Sequence, residues 1–148
     1  MRYLEGPTGI RAALFETLEW PSPLLGIFSM KDLFRVPGEG ALEDYIQGRR
    51  ERELMLKVVR SPERDRPDQW PTSSADFREA RYAPPDCVFT MTTIIGQDSV
   101  AVISSRREQF AMMIDSVEYA ETQRSLFHVL WQTSSDQPPP TGASVRGR

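Results

Sequence analysis

Two short apolar runs, Leu24-Leu-Gly-Ile-Phe28 and Leu54-Met-Leu-Lys-Val-Val-Arg60, constrain the fold of this chain most strongly. The first is bounded by Pro23 and Ser29, and the second stops at Ser61-Pro62, so both read as buried strands rather than helices. Between them Leu42, Tyr45 and Ile46 recur at helical spacing and predict a helix over 41–53, with Arg49, Arg50, Glu51 and Arg52 on its solvated face. Strand, helix and strand in that order make a βαβ unit, whose two strands must be parallel because the crossover returns the chain to its starting end.

The remaining segments extend this unit. Pro7 stands where a first helical residue would, and Ile10, Leu14 and Leu18 repeat at i, i+4 and i+8 with Phe15 beside them, which predicts a helix ending before Pro21. Over 61–74, Pro62, Pro67 and Pro71 break regular structure, and Trp70 predicts a loop that folds back to cover its indole. Residues 88–95 alternate, 96–99 make a turn and 100–104 return, which predicts a hairpin, with a further strand over 110–114. Asp115 or Ser116 then caps a last helix, Glu118 completing a capping box with Asp115, and Val117, Ala120, Phe127, Leu130 and Trp131 form its core stripe. The predicted fold class is α/β, a single mixed β-sheet covered by helices. From Ser134 onward the chain is rich in Pro, Ser and Gly without apolar period, so the expectation is a domain over 1–133 and a disordered tail over 134–148.

Composition removes whole classes of function. A chain of 148 residues, 39% hydrophobic and 26% charged, is sized for one ordinary domain that needs neither metal nor disulfide to fold. Cys87 and His128, the only residues of their types, exclude an internal disulfide and a Cys/His zinc site. Neither a membrane-length apolar run nor the apolar centre of a signal peptide is present, so the expected location is the cytoplasm, without a membrane partner. A net charge of −3 argues against a surface devoted to nucleic acid. Neither Lys31 nor Lys57 follows a glycine, which rules out a phosphate-binding GK[ST] loop, and no GxSxG elbow occurs; no cofactor is called for. The two lysines and the lack of asparagine fit the codon use of a GC-rich genome.

The ordered combination of several segments resembles the TrmB-like transcriptional regulators. These are Thr93-Ile-Ile-Gly-Gln-Asp-Ser-Val-Ala-Val-Ile-Ser104, Ala111-Met-Met-Ile-Asp115 and Glu118 to Trp131, preceded by Tyr3-Leu-Glu-Gly6, Gly9-Ile10, Leu25 to Ser29, Tyr45-Ile46 with Arg49 and Arg50, and Phe77-Arg-Glu-Ala-Arg-Tyr-Ala-Pro84. The resemblance implies a prokaryotic regulatory domain with a phospholipase-D-like fold that dimerises and, in some members, binds sugars. A winged-helix DNA-binding domain of roughly 60 to 80 residues precedes it in that family, and Met1 stands directly at the regulatory domain's first strand. The implied partners are a second copy, a sugar-like or anionic effector, and DNA only through a winged-helix segment.

The same resemblance frames the question of chemistry. Phospholipase-D-like folds cleave phosphodiesters when a strand carries His, Lys two residues later and Asp after four more, the His attacking phosphorus and the Lys neutralising oxygens. Counting back from Gly96 at the Asp position puts Phe89 at the His and Met91 at the Lys, so the motif reads as degenerate and no catalytic residue is assigned. An enzymatic alternative, a diverged phosphodiesterase or a metal-dependent hydrolase, requires Asp86, Asp98 and Asp115 to converge on a metal. Arg78-Glu79-Ala80-Arg81 marks the candidate effector site: on a helical turn Arg78 and Arg81 point the same way and suit a carboxylate or phosphate, the alternative being a salt-bridge cluster with Glu79 and Asp76. Phe127, Leu130 and Trp131 either close the core or contribute to a dimer seam.

Overall fold

The computed structural model describes residues 1–62 and 77–137. Inside its sheet strand β2 (Leu24–Phe28) pairs in parallel with β3 (Leu56–Arg60) through the register Leu24 to Leu56 and Phe28 to Arg60. The crossover between them contains a short helix α2 (Met30–Leu33), an irregular turn in which Val36 is extended, and helix α3 (Glu39–Arg52). The expected βαβ unit is therefore present, with the short helix added and the strand starting two residues later than predicted.

Strand β4 (Arg78–Tyr82) extends the parallel half beyond β3. On the other side of β2 the sheet turns antiparallel, through β5 (Thr92–Ile95), β6 (Ser99–Ser104), β7 (Phe110–Asp115) and β1 (Arg2–Glu5), giving the order β1-β7-β6-β5-β2-β3-β4. Helix α1 (Gly6–Glu16) and α3 cover one face, where Ile10, Leu14, Leu42 and Tyr45 bury against Leu56, Val58, Ile94 and Ile103. Among the described residues helix α4 (Val117–Gln132) covers the other face, burying Ala120, Phe127 and Trp131 against Leu25, Val59, Ile95 and Val100. The fold is thus α/β with a mixed seven-stranded sheet between helices, as the sequence predicts. Among the described residues no helix is long and apolar enough to cross a membrane.

The join of β1 to α1 shows how tightly the first helix seats. Gly6 takes φ +74°, which only glycine adopts freely, and a Cβ on Gly9 would lie 2.6 Å from the Leu4 carbonyl carbon, so α1 packs directly on the backbone of β1. The Arg2 guanidinium reaches from β1 to both carboxylate oxygens of Glu16 at the far end of α1.

Several expectations are corrected. Arg49 is 1% exposed rather than solvated, with Nη1 donating to the Phe77 carbonyl at 3.0 Å and its guanidinium 5.5 Å from the Tyr45 ring. The hairpin strand begins at Thr92, not at 88, because β2 offers partners only from Ile27 back to Leu25. Ser116 alone caps α4, accepting from the Tyr119 N–H at 3.1 Å, so Asp115 and Glu118 form no capping box; Val117 leaves the core stripe at 53% exposure. The segment from Ser134 is not wholly a free tail, since Ser135 pairs antiparallel with Tyr82 at the edge of β4. Trp70, most of the 61–74 loop and residues 138–148 lie outside the described residues.

Phe127 and Trp131 are core residues. The Trp131 ring also lies 4.7 Å from Lys57 Nζ and 4.4 Å from the Arg81 guanidinium, two cations on its faces. Trp131→Ala is expected to cost about 3 to 5 kcal/mol in denaturant unfolding, whereas Leu126→Ala on the exposed side of the same helix should cost under about 0.5 kcal/mol. Hydrogen bonding to Arg2 holds the Glu16 carboxyl below its ordinary range, so this contribution is present at neutral pH and disappears as pH falls through the lowered value. Glu16→Gln should accordingly lower the melting temperature at pH 7 and leave it unchanged near pH 2.

Candidate functional site

The end of the sheet where β2 and β6 finish and β5 begins gathers polar side chains that the strand pattern leaves in the interior. Ser29 follows the last residue of β2 and donates its N–H to Thr92 Oγ1 at 3.1 Å, while its own hydroxyl donates to the Asp32 carboxylate. Asp32 lies in α2, whose first turn folds over Ser29: the Asp32 and Leu33 N–H groups donate to the Ser29 carbonyl at 3.2 and 3.0 Å. Ser104 and Ser105 close β6 next to them, and all five side chains are buried. Ser104 Oγ donates to Glu108 Oε1 at 3.2 Å, whereas Ser105, 3% exposed, has no hydrogen-bond partner for its hydroxyl among the described residues.

Above this cluster opens a pocket of about 340 Å³ lined by Thr90, Met91, Ser104, Arg106, Arg107 and Glu108. The two arginines stand on the loop between β6 and β7, which Gln109 closes at φ +53° with its carbonyl accepting from the Gly6 N–H at 2.9 Å. Such a pocket can hold an anion between guanidinium groups and a hydroxyl. Its described lining has neither histidine nor lysine, so it offers no imidazole nucleophile and no ammonium beside one.

The three positions counted as degenerate are not brought together. Met91 lines this pocket, Phe89 packs against the core under α4, and Gly96 lies at the other end of β5, where its carbonyl accepts from Arg124 at 2.8 Å. Arg78 and Arg81 are also separated. They lie on strand β4 rather than on a helical turn, and an odd spacing along a strand sends side chains to opposite faces. Arg78 is buried on the α3 face beside Arg49 and Arg60, around a cavity of about 10 Å³, while Arg81 Nη1 donates to the Trp131 carbonyl at 2.8 Å on the α4 face, where Glu79 is exposed. On the α3 face burial pushes the Tyr45 phenol up, with the Arg49 charge opposing it. Asp86 follows β4 at one end of the sheet and Asp98 and Asp115 lie at the other, and no group of three His, Cys, Asp or Glu among the described residues could hold a metal.

Sequence reasoning missed Ser29, Asp32, Thr92, Ser104 and Ser105. The available signal was positional: Ser29 and the Ser104-Ser105 pair each end an apolar strand run. A buried hydroxyl without a partner costs desolvation that no hydrogen bond offsets. Ser105→Ala is therefore expected to raise stability by up to about 1 kcal/mol in denaturant unfolding, the reverse of the usual effect of a core substitution.

Solved structures share this arrangement of strands and helices. The chain matches Nuc from Salmonella typhimurium, a phospholipase D family member, at a TM-score of 0.68 with 11% identity, covering 93% of this chain and 97% of that one. It matches NucT from Helicobacter pylori at 0.61 with 9% identity, over 90% and 96%. It also matches TrmBL2, an archaeal chromatin protein whose structure is described as showing a novel mode of DNA binding, at 0.65 with 14% identity; this match covers 92% of the present chain and spans 54% of TrmBL2. No protein-family model and no curated protein sequence matches. At these identities the likeness is one of fold, and the fold is phospholipase-D-like.

Proposed function

We propose that this chain is a non-enzymatic regulatory domain of the TrmB-like kind, which senses a small molecule and acts on DNA only together with a winged-helix segment. One observation carries the reading. The pocket at the strand ends is lined by hydroxyls, a methionine, two arginines and Glu108, while the only histidine of the chain lies on α4 at the opposite end of the sheet. Phosphodiester cleavage of the phospholipase D type needs an imidazole at phosphorus with a cation beside it, and the pocket supplies only the means to hold an anion. The TM-score of 0.65 with TrmBL2 agrees with this reading.

The domain works as a homodimer on this reading. Phe127 and Trp131 are spent on the core, but Tyr119, Leu126 and Val129 are exposed along α4 with half-buried Leu130 beside them. On the same side of the sheet Tyr3, 59% exposed, stacks on Phe110 at 5.3 Å between ring centroids. These are apolar surfaces that a second copy would remove from water.

The enzymatic reading has its own support, since the match to Nuc covers nearly the whole of both chains. Hydrolysis of bis(p-nitrophenyl) phosphate separates the two: the expected result is no turnover above buffer, in the wild type and in His128→Ala alike. Turnover abolished by His128→Ala would overturn the regulatory reading. Sedimentation with labelled duplex DNA should give a dimer that leaves the DNA free at low and moderate salt, and a DNA complex with a steep salt dependence would overturn the need for a winged-helix segment.

A further inference from the structure

At the opposite end of the sheet from the hydroxyl cluster, a cleft of about 510 Å³ opens between α4 and the hairpin turn that joins β5 to β6. Pro23 and Leu25 give it an apolar floor, and five ionisable side chains border it: Lys57 from β3, Asp98 from the turn, and Glu121, Arg124 and His128 from α4. They come from three separate parts of the chain, so their convergence is a product of the fold.

Among the five, Arg124 alone spends hydrogen bonds on other described residues. Arg124 Nη1 donates to the Gly96 and Gln97 carbonyls at 2.8 and 2.9 Å, which fastens the turn to the helix and fixes the two walls relative to each other. Lys57 rests its ammonium on the Trp131 ring, and His128 contacts Phe127 edge-on, but neither forms an ion pair or hydrogen bond with another described side chain. Asp98 and Glu121 likewise pair with no described residue. The cleft therefore presents an ammonium, an imidazole and two carboxylates that pair with no described side chain, within one small volume.

A bare anion would meet Lys57 and Arg124 but also two carboxylates, and a bare cation would meet the carboxylates but also Lys57 and Arg124. A ligand bearing both signs satisfies both sets at once. We propose that this cleft binds a small dipolar ion, one anionic group and one ammonium group on a short skeleton, with Lys57 and His128 holding the anionic end and Asp98 and Glu121 the ammonium end. Calling this ligand the effector rests on the regulatory reading above; the binding itself does not.

Amide spectra of the ¹⁵N-labelled full chain test it, titrated with the common L-amino acids one at a time, with phosphoethanolamine, and with acetate and ethanolamine as single-charge controls. At least one dipolar probe is expected to shift Gly96, Gln97, Asp98 and Glu121 saturably, and acetate and ethanolamine to bind at least about tenfold more weakly. Response to amino acids alone or to phosphoethanolamine tells whether the anionic end is a carboxylate or a phosphate. Lys57→Met and Glu121→Gln should each weaken binding about tenfold; because Lys57 also packs on Trp131, His128→Gln on the exposed helix face serves as a second anionic-end variant. The proposal is overturned if no dipolar probe moves those amides, if acetate or ethanolamine binds as tightly as the best dipolar ion, or if the variants bind with unchanged affinity. The phosphodiester assay reads turnover and this titration reads binding without turnover, so failure here leaves the regulatory reading standing, and the reverse.

Discussion

Strand β2 is the pivot on which the rest of the molecule depends. It is hydrogen-bonded on both sides, in parallel to β3 and antiparallel to β5, so it joins a βαβ half to a meandering half within one sheet. A strand in that position has no face for solvent, which is why its sequence is a continuous apolar run rather than an alternation. Gly26 at its middle reflects the same crowding, since a Cβ there would lie 2.6 Å from the Phe28 ring. Where β2 ends, at Ser29, the chain must leave the sheet through its interior, and the backbone and hydroxyl of Ser29 are satisfied by Thr92, Asp32 and Leu33. The buried polar cluster is thus a consequence of ending a central strand inside the protein.

The elements that the sequence revealed are those whose residues carry the pattern of burial themselves. Leu24–Phe28 is a continuous apolar run buried on both faces, and the helix around Tyr45 and the strands ending at Ser104 and Asp115 bury apolar side chains along their own length. Strand β4 did not reveal itself, because Arg78-Glu-Ala-Arg has good helix formers and charges on every side; pairing along β3 overrides that local preference. Arg49 was misplaced for the same reason, as its burial depends on the Phe77 carbonyl, 28 residues away. Short β1, with three of its four residues exposed, offered no period at all.

The hydroxyl cluster and the charged cleft were hidden for a further reason. Ser29, Thr92 and Ser104 have no spacing in sequence that signals chemistry, and nothing in the sequence joins Lys57, Asp98 and His128 into one site. Only the sheet order, which sets the end of β2 beside the start of β5 and the start of β3 near α4, brings them together. Fold class was legible because it depends on local period, whereas site composition depends on which strand ends become neighbours.

The pairing of Ser135 with Tyr82 bears on how this sheet can meet other sheets. After α4 the chain crosses back to β4 and takes both backbone groups of Tyr82, the Tyr82 N–H donating to the Ser135 carbonyl at 2.6 Å and the Ser135 N–H to the Tyr82 carbonyl at 2.8 Å. The two borders of the sheet are thereby made unlike, one partly stoppered by the chain's own return and the other, along β1, without a further strand among the described residues. Growth of an open fibre by strand addition needs a free border at both sides of every copy, and the Ser135 bridge occupies part of one of them.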